Sequence, residues 1–259
     1  MNADTIQTQS SAVSLDEKLK NKEFPLQILN RDMLKYIAII FMTLGHWAFD
    51  IAKIIPNRAF IKFAIGVEFF APPVFFFFIA EGYHYTKDRK KYALRLLLFA
   101  VITQIPQALI NGGISIHSLF LQWSVIMTLF LGLLALIVLH STWKLPLRLT
   151  VIAGLIVLSR LLTAEWYICG IILIICFDLL REKPLLRLGV FEVLMFASMC
   201  VQILHFPTAY EFVIYFIAPM SAGIVITFFY NGKKGHFPTF SKWFFYIWYP
   251  LHRLIQYFV

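Results

Sequence analysis

Two imidazoles and two carboxylates stand inside otherwise apolar stretches of this sequence: His46, Asp50, Glu68 and His252. Ionisable groups in such surroundings are costly and are functional candidates by default. His46 and Asp50 are four residues apart, so on a helix both project from one face. A carboxylate at that spacing can orient the imidazole and raise its basicity, which suits a general base or a nucleophile. Glu68 and His252 belong to two other apolar segments and fall at comparable depth. Taken singly, each His reads equally as a packed, hydrogen-bonded core residue; three helices offering such groups at one depth point to a shared wet pocket.

A second cluster is cationic. Glu81, Tyr83, His84, Tyr85, Thr86, Lys87, Arg89, Lys90 and Arg95 crowd one hairpin. Guanidinium and ammonium donors with Tyr for stacking suit a phosphorylated ligand, with Glu81, Tyr85, Thr86, Arg89, Lys90 and Arg95 as the candidate binding residues. Simple topology signalling by basic loops accounts for the same composition. The three cysteines, Cys169, Cys176 and Cys200, lie in apolar runs without CxxC or a His at ligand spacing, so they read as packed thiols, and no metal site is expected.

The elements that must position these groups are membrane helices. Six residues in ten are hydrophobic, Phe occurs 27 times, and only 14% of residues are charged. A soluble domain of this length needs far more charged surface. The fold class expected is therefore an all-α polytopic transmembrane bundle. Nine spanning helices (eight to ten) are read at about 33–54, 59–82, 91–110, 117–140, 147–163, 165–180, 186–204, 211–230 and 240–258. Pro72-Pro73 interrupts the second span and deprives the carbonyls of Glu68 and Phe69 of helical donors. Such a break is tolerated only against protein or a wet cavity.

Residues 1–31 read as a polar, largely disordered cytoplasmic tail, with a capping box at Ser14-Leu15-Asp16-Glu17. Residues 32–259 read as a single domain. No cleavable signal peptide opens the chain. The net charge of +9 falls mostly in alternate loops, which puts the N-terminus in the cytoplasm. Topology and anionic lipid explain that charge, and no nucleic-acid motif is present. Arg160, Asp178 and Glu192 read as snorkelling charges near helix ends, and Trp166-Tyr167 and Trp243 to Trp248 as interfacial belts.

With these residues in view, the chain resembles the TraX family, multi-pass membrane proteins named for a pilin N-acetylase and similar to the broad group of transmembrane acyltransferases. The resemblance runs over about residues 32–259. It rests on Leu34-Lys35 with Gly45-His46, Pro73 and its Phe run, and Glu81-Gly82-Tyr83-His84-Tyr85-Thr86 through Arg89, Tyr92 and Arg95. Gln104-Ile105-Pro106, Thr128 to Leu134 and Tyr249-Pro250-Leu251-His252 complete it. One departure stands out: the family usually pairs an Asp directly with the first His, and here Gly45 occupies that place. The resemblance implies an acyl-CoA-dependent acetyltransferase of a bacterial cytoplasmic membrane, with acetyl-CoA as co-substrate. A peptide N-terminus such as processed pilin, a glycan or a small molecule would be the acceptor. His46, Asp50, His252 and Glu68 would form the catalytic group and the hairpin the donor site. The reading from another class is a transporter or flippase, or a non-catalytic part of a conjugation or export assembly, to which buried carboxylates and a broken helix are equally suited.

Overall fold

The computed structural model describes residues 26–202 and 209–259. The expected disordered tail and its capping-box helix lie outside those residues. The described chain forms twelve α-helices: α1 Arg31–His46, α2 Ala48–Ile54, α3 Arg58–Glu68, α4 Ala71–Tyr85, α5 Arg89–Ile110, α6 Ile116–Phe120, α7 Val125–Leu139, α8 Leu145–Leu161, α9 Tyr167–Leu179, α10 Pro184–Gln202, α11 Ala209–Ile224 and α12 Pro238–Phe258. A π-turn at Val225–Phe229 extends α11, and a lone parallel bridge joins Leu29 to Tyr230. The all-helical expectation holds.

Helix starts follow the capping chemistry of the sequence. The Asn30 carboxamide accepts from the backbone N–H groups of Asp32 and Met33, and the Asn57 carboxamide from those of Ala59 and Phe60. Asp88 caps α5 by accepting from Lys91 N–H at 2.9 Å, and this contact holds its carboxyl below the ordinary range. Pro72 and Pro73 sit in the first turn of α4, where backbone N–H groups have no helical acceptor in any case. The proline pair thus begins a helix and does not kink one. Glu68, at the end of α3, faces the resulting gap.

Among the described residues, three helical stretches are long and apolar enough to cross a membrane, Arg58–Tyr85, Arg89–Ile110 and Ile116–Leu139. A fourth qualifies if α1 and α2, bent by 59° at Trp47, make one span. The sequence reading of nine spans also counts shorter apolar helices such as α9, which has 13 residues. Exposed Phe, Leu and Ile along the outer faces match a lipid-facing surface.

The basic loops gather at one end of the bundle. Arg31 N–H donates to the Lys233 carbonyl, Arg148 caps the Leu139 carbonyl, and the Arg181 guanidinium lies 5.8 Å from the centre of the Tyr85 ring. We call this the basic end. Within the bundle, α9 packs against α4 and α7, and α12 against α5. Gly170 makes the first packing possible: a Cβ there would meet Thr128 Cγ2 and come within 2.9 Å of Phe76 Cζ. Gly170→Val should therefore overpack the α4–α7–α9 core and destabilise the fold by about 1–3 kcal/mol. Thermal unfolding in detergent checks this, and an unchanged midpoint would refute the tight packing.

Candidate active site

The imidazoles of the opening and closing helices meet. His46 Nδ1 lies 2.7 Å from His252 Nε2, with the rings near-parallel at 10° and centroids 5.0 Å apart. His252 Nδ1 lies 3.0 Å from the Trp248 carbonyl, which can only accept, so that nitrogen carries the hydrogen. In the neutral pair His252 Nε2 then accepts from the His46 Nδ1–H, and His46 Nε2 keeps its lone pair. The chain of bonds thus selects the tautomer of His46 that a base requires. Trp248 stacks against His252 and donates its indole N–H to Thr43, while the Trp47 indole N–H donates to the His252 carbonyl. Both contacts lock the closing helix onto α1.

His46 is the last residue of α1, and the chain bends immediately after it. Gln256, one turn beyond His252, donates to the freed His46 carbonyl, so the break is satisfied by protein. On the other side of His46, α1 and α3 approach at Gly45. A Cβ at that position would overlap the Glu68 side chain, including its Oε2. The carboxylate next to His46 in space therefore belongs to Glu68, and it occupies the volume that any side chain at position 45 would need.

A cavity of about 1000 Å³ opens beside this pair. His46, Glu68, Arg160, Glu165 and Tyr249 contribute its polar lining. Glu165 enters it from a tight α8–α9 turn in which Thr163 and Trp166 take positive φ (46° and 64°), uncommon for residues with a Cβ. The turn is held by Glu165 N–H donating to the Trp123 carbonyl and by the Val125 N–H donating to the Glu165 carboxylate. Beneath the histidines Arg253 is buried, donating twice to Gln107 Oε1 and once to Gln256 Oε1. With a partner on each of its three nitrogens, the guanidinium supplies fixed positive charge beside a pocket that holds two carboxyl groups.

A second cavity, about 280 Å³, runs in from the basic end. Its mouth carries Arg31, Lys35, Arg95, Lys234 and Lys242, with Glu81, Tyr85, Thr86, Tyr92 and Tyr246 along its wall. Arg95 Nε is buried without a hydrogen-bond partner. The two cavities share Met42, Phe75, Val125 and Tyr249 in their walls, and so are neighbours.

The structure brings together His46, His252 and Glu68 as the sequence reading anticipated. Asp50 differs. Its carboxylate pairs with Lys53 at 3.0 Å and accepts from Gln256 at 3.2 Å, with no hydrogen bond to His46. The helix bend at Trp47 breaks the i, i+4 geometry that would have joined them. In the hairpin, Glu81, Tyr85, Thr86 and Arg95 line the inner cavity. Arg89 instead stacks on the Tyr83 ring at 4.0 Å, and Lys90 is exposed and outside the lining. Arg31, Lys35, Lys234 and Lys242 were missed as candidate ligands because they are far apart in sequence. Asp178 does not snorkel; it is buried between two histidines. Trp166 and Trp248 are partly buried and pack against Phe76 and His252. Among the cysteines, Cys169 and Cys176 are half-buried and Cys200 is exposed.

These features define a class: a helical membrane protein with a buried His–His pair where a wide cavity meets a narrow cationic one. The chain belongs to the TraX protein family, whose model matches residues 30–259. It is 28% identical over 242 residues to a probable fimbrial assembly protein FimC, serogroup H1, of Dichelobacter nodosus, which covers 85% of this chain and 86% of that one. No solved structure matches it.

Proposed function

We propose that this protein is a membrane-embedded acetyltransferase that takes an acetyl group from acetyl-CoA on the cytosolic side and delivers it to an amine or hydroxyl. A pilin or other surface-peptide N-terminus is the acceptor best in keeping with the family and the fimbrial relative. The observation that carries the reading is that a cationic cavity and one holding an orientable imidazole share a wall of four residues. Nine passes with the N-terminus and the basic end in the cytoplasm of a bacterial cell complete the picture, in keeping with the positive-inside rule.

In this reading the CoA phosphates rest among Arg31, Lys35, Arg95 and Lys242, and the pantetheine arm runs inward toward Tyr249. The acceptor occupies the wide cavity, where the Glu68 or Glu165 carboxylate takes the extra proton of an ammonium acceptor, so that the free amine attacks. His46 Nε2 removes a proton as the acceptor nitrogen or oxygen attacks the thioester carbonyl. Tyr249 borders both cavities, and in this reading its hydroxyl turns from Glu165 to donate to the developing oxyanion. When the intermediate collapses the C–S bond breaks, His46 returns the proton to the leaving sulfur, and CoA and the acetylated acceptor separate.

Purified protein in detergent, given labelled acetyl-CoA and a peptide with a free N-terminus, should transfer label to an amine or hydroxyl. Absence of both transfer and acetyl-CoA hydrolysis, with solute counterflow in liposomes, would overturn the enzyme reading in favour of transport. The donor site has its own test. A charge-assisted hydrogen bond is worth about 1.5–3 kcal/mol, so Arg95→Ala should raise the KM for acetyl-CoA about 10-fold or more. Arg89→Ala should leave that KM unchanged, because Arg89 stacks on Tyr83 and does not line the cavity. The reverse ranking would move the donor out of this cavity.

A further inference from the structure

We propose that His84, His140 and Asp178 form a binding site for a divalent transition-metal ion, with Zn²⁺ the best fit, that fastens three helices together at the basic end. His84 stands in the last turn of α4, His140 caps the end of α7, and Asp178 is in the last turn of α9. Each Asp178 oxygen faces one imidazole: Oδ1 lies 2.6 Å from His84 Nε2, and Oδ2 lies 2.7 Å from His140 Nε2. Among the described residues these three donor atoms form a group within 4.8 Å of one another. The donors come from positions 84, 140 and 178, so no local motif announces them.

The set suits a transition metal by type and by geometry. Two imidazoles and one carboxylate are borderline ligands typical of zinc, whereas Mg²⁺ and Ca²⁺ favour several oxygens. A tetrahedral ion with bonds near 2.0–2.1 Å spaces its donor atoms about 3.4 Å apart. To admit one, the Asp–His contacts of 2.6 and 2.7 Å open by less than about 1 Å, while donors as far apart as 4.8 Å close to that spacing. Asp178 is buried, and the Tyr83 ring stacks on His140 at 5.2 Å, so two donors are held in place. His140 is open to solvent, which leaves an entry path and a coordination position for water. Arg89, stacked on Tyr83, and Arg148, on the Leu139 carbonyl, are nearby cations. They repel any divalent ion alike, so the imidazole and carboxylate bonds must supply the affinity.

None of the three residues lines either cavity of the candidate active site. The ion's role is therefore to fix α4, whose Glu81 and Tyr85 wall the inner cavity together with the capping Thr86, against α7 and α9. The experiment uses the full chain purified with a tag that contains no histidine. Elemental analysis should find about one zinc per chain after dialysis against zinc, and Co²⁺ loading should give the visible absorption of a tetrahedral site. Thermal unfolding should shift upward with Zn²⁺ and return on chelation. Asp178→Asn and the solvent-side His140→Gln should each weaken metal binding by about 100-fold or more. His140→Gln is at an exposed position, so it tests the site even if Asp178→Asn fails to fold. Wild-type protein that takes up no metal, or a His140→Gln variant that binds as tightly as the parent, would reduce the cluster to a hydrogen-bonded His–Asp–His bridge and end the proposal.

Discussion

His46→Ala should lower kcat for acetyl transfer by about 10²–10⁴-fold with little change in the KM for acetyl-CoA, since general-base assistance is typically of that size. The partner imidazole gives the sharper test. His252 touches His46 and does not line the wide cavity, so its part is to position. His252→Leu removes the acceptor for His46 Nδ1–H, frees the ring to take the wrong tautomer, and should cost about 10–100-fold in kcat. His252→Gln can place an amide oxygen near the former Nε2 and should recover most of that loss. If His252→Leu and His252→Gln are equally slow, the hydrogen bond does not set the tautomer. If His46→Ala transfers acetyl as fast as the parent, His46 is not the base.

A carboxylate restored at position 45 should be harmful by itself and tolerated only when Glu68 is removed. A Cβ at Gly45 already overlaps the Glu68 side chain, so Gly45→Asp forces α1 and α3 apart and sets two carboxylates together beside His46. Misplacing a reacting group by about 1 Å costs about 10²-fold, and a loss of that order or larger is expected. The paired variant Gly45→Asp with Glu68→Ala relieves the overlap and returns one carboxylate to the same volume. It should regain at least about 10-fold over Gly45→Asp alone. Activity in the pair no better than in the single variant would show that the two carboxylates are not interchangeable. Recovery in the paired variant would identify Glu68 as supplying the carboxylate that the family resemblance puts at position 45.

How much of this was legible can be argued residue by residue. His46, His252 and Glu68 stood out because ionisable groups in apolar runs are rare and costly. The end of the second span's first half was legible too, since Pro72-Pro73 cannot continue a helix. Asp50 misled because the i, i+4 rule presumes an unbroken helix, and nothing local at Trp47 announces the 59° bend. Arg89 and Lys90 were taken for ligands by proximity to Arg95, but a helix start turns successive side chains to different sides. Glu165 and Asp178 lie at a turn and a helix end where an exposed charge is ordinary. Only their neighbours make them polar centres of the interior.

Composition, loop charge and the positions of proline and capping residues determined that this chain is a helical membrane protein, and roughly where its helices begin and end, because those properties depend on each segment's own transfer energy and backbone chemistry. The pairing of His46 with His252, the substitution of Glu68 for a side chain at Gly45, the abutting cavities and the His84–Asp178–His140 cluster were decided by tertiary structure. Each joins residues from separate helices, and which faces meet is set by packing between helices that no single segment encodes.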